Sequence, residues 1–102
     1  MIEIQPTELA AIDGAIILDV REDHEFAEVR AATAVSIPMS QFVDRFDEVP
    51  VDETLYVICA AGGRSAQVAQ YLEQRGYEAV NVAGGTGAWV AAGLPTLSGA
   101  PA

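Results

Sequence analysis

Short apolar runs alternate with stretches of helical periodicity along the chain. Ala15-Ile16-Ile17-Leu18 and Leu55-Tyr56-Val57-Ile58 are unbroken apolar runs, the pattern of strands covered on both faces of a sheet. Val35-Ser36-Ile37, stopped by Pro38, and Ala79-Val80-Asn81-Val82 predict shorter strands, and Ile2-Glu3-Ile4 a minor one. Between them, 7–10 and 23–28 predict short helices that open on polar residues. A further helix is expected over 40–46, with Ser40 as its cap and Phe42, Val43 and Phe46 on one face. From Ser65 to Gln74, Val68, Ala69 and Leu72 draw an apolar stripe. Arg75 and Gly76 suit the C-terminal end of that helix, one by charge and the other by its freedom to turn left-handed. A last helix over 86–92 carries Trp89 and stops at Gly93 and Pro95. Strand and helix alternating at this pitch predict an α/β layered domain with a largely parallel sheet. One domain is expected over 1–102, with its core at 7–95 and a loose tail at 96–102.

Composition narrows the function classes. With 102 residues, 51% of them apolar, the chain has enough core-forming material to exclude disorder. A single cysteine excludes a disulfide scaffold, and one His with one Cys cannot assemble a self-contained zinc site. The net charge is −10, and all five bases are Arg without a basic cluster, so duplex nucleic acid is not an expected partner. The acids concentrate early: residues 1–53 hold 13 of them against 3 Arg, which reads first as a solvated surface and second as an acidic docking face. The uncharged stretch after Glu78 is interrupted by five Gly and two Pro, so no membrane span is expected. No leader pattern is seen at the start, and the expected compartment is the thiol-reducing cytoplasm.

The chemistry concentrates in Cys59-Ala60-Ala61-Gly62-Gly63-Arg64-Ser65, between a buried strand and a helix. In open α/β sheets ligands bind beyond the carboxyl ends of strands, which is where Cys59 falls. Ala60, Ala61, Gly62 and Gly63 carry almost no side chain, so successive N–H groups can curl into an anion-binding nest. The following helix aims about half a positive charge at the same spot. A thiol there should titrate below about 8.5. A lone cysteine closing a strand is more often an inert small hydrophobe. Here the adjoining glycines and Arg64 favour chemistry, because a plain strand-to-helix turn requires neither. Ser65 is expected to donate its hydroxyl or to cap the helix. Asp19 and Arg21, at the end of the first buried strand, read as a charged pair that braces the loop or merely closes the strand. His24 is expected on the surface and Trp89 in the core.

In order along the chain stand Asp19-Val20-Arg21-Glu22 with Glu25-Phe26, Ser36-Ile37-Pro38, the Cys59 loop, Gly76-Tyr77, Val82-Ala83-Gly84-Gly85, Ala88-Trp89 and Ala92-Gly93-Leu94-Pro95. This set resembles the rhodanese-like domain family of single-domain sulfurtransferases, from about Thr7 to Pro95. The resemblance implies a mixed, mainly parallel five-stranded sheet flanked by helices. It also implies transfer of a sulfane sulfur through a persulfide on Cys59, with Ala60, Ala61, Gly62, Gly63, Arg64 and Ser65 around the donor. Four residues separate Cys59 from Arg64, the spacing of the sulfur-transferring members; related phosphatases use five to fit a phosphoryl group. Expected partners are a small sulfur donor such as thiosulfate or a persulfide, and a thiol, cyanide or sulfur-carrier protein as acceptor. No metal or organic cofactor is implied. The alternatives are a binding module of the same fold and a redox-sensing thiol. Two positions depart from the family pattern. Val29-Arg30-Ala31-Ala32-Thr33-Ala34 stands where glycines are usual, which predicts a different backbone path because β-branched residues resist positive φ. Ala60 stands where thiosulfate-using members often carry a base, which predicts weaker use of thiosulfate.

Overall fold

The computed structural model describes residues 1–100; the final two residues of the expected tail lie outside them. Five strands form one sheet: β1 (Ile2–Ile4), β2 (Ile16–Asp19), β4 (Val35–Ser36), β5 (Thr54–Ile58) and β6 (Glu78–Val82). Their order is β1-β6-β5-β2-β4, and every pairing within the sheet is parallel. The antiparallel pairing is confined to a separate ribbon of β3 (Arg30–Ala31) and β7 (Thr96–Leu97). Four helices, α1 (Pro6–Ala10), α2 (Asp23–Glu28), α3 (Gly63–Gln74) and α4 (Gly85–Ala91), flank the sheet. Among the described residues, no helix is long and apolar enough to cross a membrane.

The two-residue period of the strands divides the core in two. On one face Leu18, Leu55 and Val57 pack under Val68, Ala69 and Leu72 of α3, together with Cys59. On the other, Ile17, Ile58 and Val82 pack under Leu9 of α1 and Trp89 of α4. This two-sided burial accounts for the unbroken apolar runs of β2 and β5. The chain leaves β2 toward β4 on one side and β5 toward β6 on the other. A crevice therefore opens between the carboxyl ends of β2 and β5.

Two local expectations are corrected. Over 40–46 there is no regular helix: 3₁₀ turns at Met39–Gln41 and Phe46–Glu48 bracket a non-helical turn. So short a segment gains little from helix propagation. It is held instead by Phe42 and Phe46, whose rings meet the edge of Tyr71 at 6.1 and 5.8 Å. Ser40 caps no helix; its hydroxyl donates to Glu22 at 2.6 Å. The tail is tied down as far as Gly99: Thr96–Leu97 pairs with Arg30–Ala31, and the Arg30 guanidinium donates to the Gly99 carbonyl at 2.8 Å. Val29 itself is extended at φ −161° and leads directly into β3, so it sits in backbone that suits a β-branched residue and needs no left-handed conformation.

Candidate active site

Cys59 follows the last residue of β5 at the crevice, with 1% of its surface exposed. The chain then turns into α3 through Gly62, whose φ of 112° is left-handed and favours glycine. This turn brings two donors to the sulfur: the Gly62 N–H at 3.0 Å and the Ser65 hydroxyl at 3.2 Å. Burial pushes the Cys59 thiol up. The Ser65 hydroxyl and the backbone N–H groups of Ser65, Gly62 and Ala61 outweigh it and hold the thiol below its ordinary value.

The outer side of the loop is clasped by α4. The Thr86 N–H donates to the Cys59 carbonyl at 2.7 Å and the Gly87 N–H to the Ala60 carbonyl at 3.1 Å. The loop carbonyls therefore serve the unpaired donors at the start of α4, while loop amides turn to the sulfur. Gly85 makes the approach possible, since a Cβ there would stand 2.3 Å from the Cys59 oxygen.

The predicted site residues divide into groups. Cys59, Gly62 and Ser65 are in contact. Ser65 does not cap the helix; Gly62 occupies the N-cap, and Ser65, fully buried, faces the sulfur. Ala60 is half-buried beside it, while Ala61 and Gly63 are exposed. Arg64 makes no hydrogen bond to Cys59, though it lies within electrostatic range of the sulfur; its guanidinium reaches across the crevice and donates to both carboxylate oxygens of Glu25 on α2 at 2.7 and 2.9 Å. The Arg64 bond holds the Glu25 carboxyl down to about 2, and the same pairing raises Arg64. Asp19 and Arg21 are buried and bidentate, with the shortest contact 2.8 Å. Arg21 also donates to the Val29 carbonyl at 2.7 Å, so this pair fixes the end of α2, and with it the helix that carries Glu25. Their link to the loop is through backbone: the Val20 N–H donates to the Ile58 carbonyl at 3.0 Å. His24 is exposed. Trp89 is buried, with its indole N–H on the Pro95 carbonyl at 2.8 Å, and it lines a cavity of about 350 Å3 that contains no residue of the Cys59 loop.

Two residues of the site were not singled out from sequence. Glu25, present in the Asp19 motif, is the partner of Arg64. Asn81 lies under Ser65, and its Oδ1 accepts the Ser65 hydroxyl at 2.5 Å. The available signal was an Asn inside an otherwise apolar strand, because a buried amide requires polar partners.

A desolvated sulfur held by hydrogen-bond donors at a helix N-terminus is equipped for nucleophilic attack and for holding negative charge. Comparison with known proteins points to one family. The family model described as the rhodanese-like domain matches residues 5–92. A protein named sulfurtransferase from Allochromatium vinosum is 35% identical over 88% of this chain and 85% of its own length. The thiosulfate sulfurtransferase GlpE of Actinobacillus pleuropneumoniae serotype 7 is 33% identical, covering 89% and 85% respectively. The crystal structure of a rhodanese-related protein from Thermoplasma volcanium superimposes with a TM-score of 0.89 at 33% identity, covering 95% of this chain and 98% of the other. With family match, relatives and fold in agreement from α1 to α4, the chain belongs to the rhodanese-like domain family.

Proposed function

We propose that the protein is a sulfurtransferase in which Cys59 carries the sulfur, with a low-molecular-weight persulfide preferred over thiosulfate as donor. The observation that carries this reading is Cys59 Sγ held by the Gly62 N–H at 3.0 Å with the Ser65 hydroxyl 3.2 Å away, able to turn its hydrogen onto a thiolate. The Cys59 thiolate attacks the outer sulfur of the donor. Its electron pair forms the new S–S bond, and the donor's S–S pair leaves with a thiolate or, from thiosulfate, with sulfite. Amides of the loop and the α3 dipole hold the anionic charge, a preorganised arrangement. An acceptor thiolate, cyanide in assay or a sulfur-carrier protein then attacks the outer sulfur and releases Cys59 as thiolate. Because Cys59 is the only cysteine, no second thiol of this chain can resolve the persulfide, and discharge is intermolecular. Arg64 and Glu25 act as a strut across the crevice, Asp19 and Arg21 as its footing, and Ala60 and Ala61 leave room for the donor. The reducing cytoplasm suits such a persulfide cycle.

Mass spectrometry after incubation with a sulfane donor tests the reading. The expected result is a gain of about one sulfur atom, reversed by reductant and absent from Cys59→Ser. An unchanged mass with donor in excess would overturn it and leave a binding module of the same fold. Oxygen adducts without sulfur transfer would instead mark a redox-sensing thiol.

A further inference from the structure

The Ser65 hydroxyl has one hydrogen and two claimants. Its oxygen lies 3.2 Å from Cys59 Sγ and 2.5 Å from Asn81 Oδ1. The orientation of the Asn81 amide settles where that hydrogen rests. Asn81 Nδ2 faces Glu3 Oε2 at 3.0 Å and the Gly62 carbonyl at 3.3 Å, and both of those groups accept. Both amide hydrogens are therefore engaged, and the oxygen is the atom turned toward Ser65. Because Oδ1 carries no hydrogen, Ser65 must donate to it, which leaves lone pairs of the hydroxyl facing the sulfur. That arrangement suits a protonated thiol, which donates to Ser65, or a sulfur that carries no charge. It opposes a thiolate, toward which the hydroxyl must turn. Turning strips Oδ1 of its donor in a residue that is 2% exposed, where an unmet acceptor is costly.

We propose that the Ser65 hydroxyl is a two-position switch and that Asn81 is its opposing pole, a positioning residue that favours the sulfur-loaded form of Cys59 over the thiolate. This deepens the sulfurtransferase reading and rests on Cys59 as nucleophile. In the thiolate the hydroxyl points at Sγ. When Sγ bonds the donor's outer sulfur, the negative charge moves to that outer atom, Sγ becomes neutral, and the hydroxyl returns to Asn81. On discharge Sγ leaves as thiolate and the hydroxyl turns back. Asn81 thus raises the thiolate relative to both the thiol and the persulfide, which sharpens its nucleophilicity and draws the sulfur onto it.

The charged groups about Cys59 are accounted for separately. Arg64 on α3 is engaged by Glu25 on α2, with Glu22 near the same guanidinium, and its charge also reaches Cys59; it is the same in every variant tested below. Asp19 and Arg21 after β2 are locked to each other. Glu3 on β1 reaches the sulfur only through Asn81 and Ser65. The α4 residues against the loop, Gly85, Thr86 and Gly87, are uncharged.

The test measures the pH profile of alkylation of Cys59, which requires no sulfur donor and so succeeds or fails independently of the transfer reaction. Asn81→Leu removes the competing acceptor. The apparent Cys59 pKa is expected to fall by about 0.5–1 unit, which is about three- to tenfold more thiolate at a fixed pH below it. Ser65→Ala is expected to raise it, and Asn81→Leu in the Ser65→Ala background to change nothing further. A rise or no change in Asn81→Leu, or the same fall in the absence of the Ser65 hydroxyl, would overturn the proposal. A second measurement does not depend on Asn81→Leu folding. Cys59 supplies the only S–H stretch in the infrared spectrum, and in the thiol form it should lie at lower frequency in the natural protein than in Ser65→Ala, because it donates to Ser65. An equal or higher frequency would mean that Ser65 does not accept from the thiol, and the switch would be refuted.

Discussion

Gly85→Ala tests how closely the Cys59 loop depends on its neighbour. The added Cβ would stand 2.3 Å from the Cys59 oxygen and 2.7 Å from the carbonyl carbon and oxygen of Ala60. Contacts of a Cβ are essentially never closer than 3.0 Å, so the Cys59 carbonyl has to retreat by about 0.7 Å or α4 has to move by as much. These are backbone atoms and cannot swing aside as a side chain would. The φ of 58° adds its own cost, on the order of 1–2 kcal/mol for a residue with a Cβ. With overpacking of about 1–3 kcal/mol, the expected destabilisation is about 2–5 kcal/mol. At about 4–8 °C per kcal/mol, even the lower figure lowers Tm by roughly 10 °C. A displacement of this size at the reacting sulfur is expected to cost up to about a hundredfold in kcat/KM. Gly93→Ala is the control: its φ is 71° and nothing lies within 4 Å of the new Cβ, so it carries the backbone cost alone. Gly87→Ala meets the Ala60 oxygen at 3.4 Å, an ordinary contact, and should be tolerated. The assay pairs thermal melts with transfer from a sulfane donor to cyanide, run at a temperature where each variant is folded by circular dichroism. If Gly85→Ala matches Gly93→Ala in both stability and turnover, the clasp between α4 and the loop does not position the sulfur.

Alkylation of the natural protein should report an apparent Cys59 pKa below a free thiol's; a value at or above about 8.5 would contradict the donor geometry. Glu25→Gln should cost about 0.5–1 kcal/mol at neutral pH, a modest figure because both side chains are partly exposed to screening solvent. The folded carboxyl is depressed, so this contribution is fully present above its ordinary 4.5 and is lost as pH falls toward about 2; denaturant titrations showing a constant gap down to pH 2 would count against the strut. Ala60→Arg should improve kcat/KM for thiosulfate more than for a persulfide donor, and more so at low salt, because it places a cation before a dianion on a protein of net charge −10. An equal gain with both donors, or none, would remove that electrostatic account.

The sheet was legible because both faces of β2 and β5 are buried, which writes their strands as unbroken apolar runs. The Cys59 loop was legible because small residues, a cation and a helix start coincide within seven positions. The helix expected over 40–46 is absent because an aromatic cluster on Tyr71 and Tyr77, remote in sequence, fixes Phe42 and Phe46 where local periodicity alone suggests a helix. The β3–β7 ribbon is two residues wide, shorter than any periodicity can signal. The partner of Arg64 was hidden for a different reason. A guanidinium near a thiolate reads as a counter-charge, and only the fold shows that Glu25, 39 positions earlier, has engaged it. Asn81 reads as one more strand position because its partners, Ser65, Gly62 and Glu3, lie 16 or more positions away in sequence.

The clasp between α4 and the loop also bears on the order in which the protein is made. Cys59 leaves the ribosome before Gly84, Gly85, Thr86 and Gly87, the turn and helix start that take hold of its carbonyl and that of Ala60. Asn81, which anchors Ser65 and the Gly62 carbonyl, also comes later in the chain. Until those residues emerge and β6 joins the sheet, the nascent thiol has neither its oriented amides nor its hydroxyl, and it behaves as an ordinary cysteine. The acidified Cys59 thiol is therefore a property of the finished fold, conferred from the C-terminal side, and synthesis arrested before α4 yields a polypeptide carrying the whole loop sequence without the geometry that acidifies it.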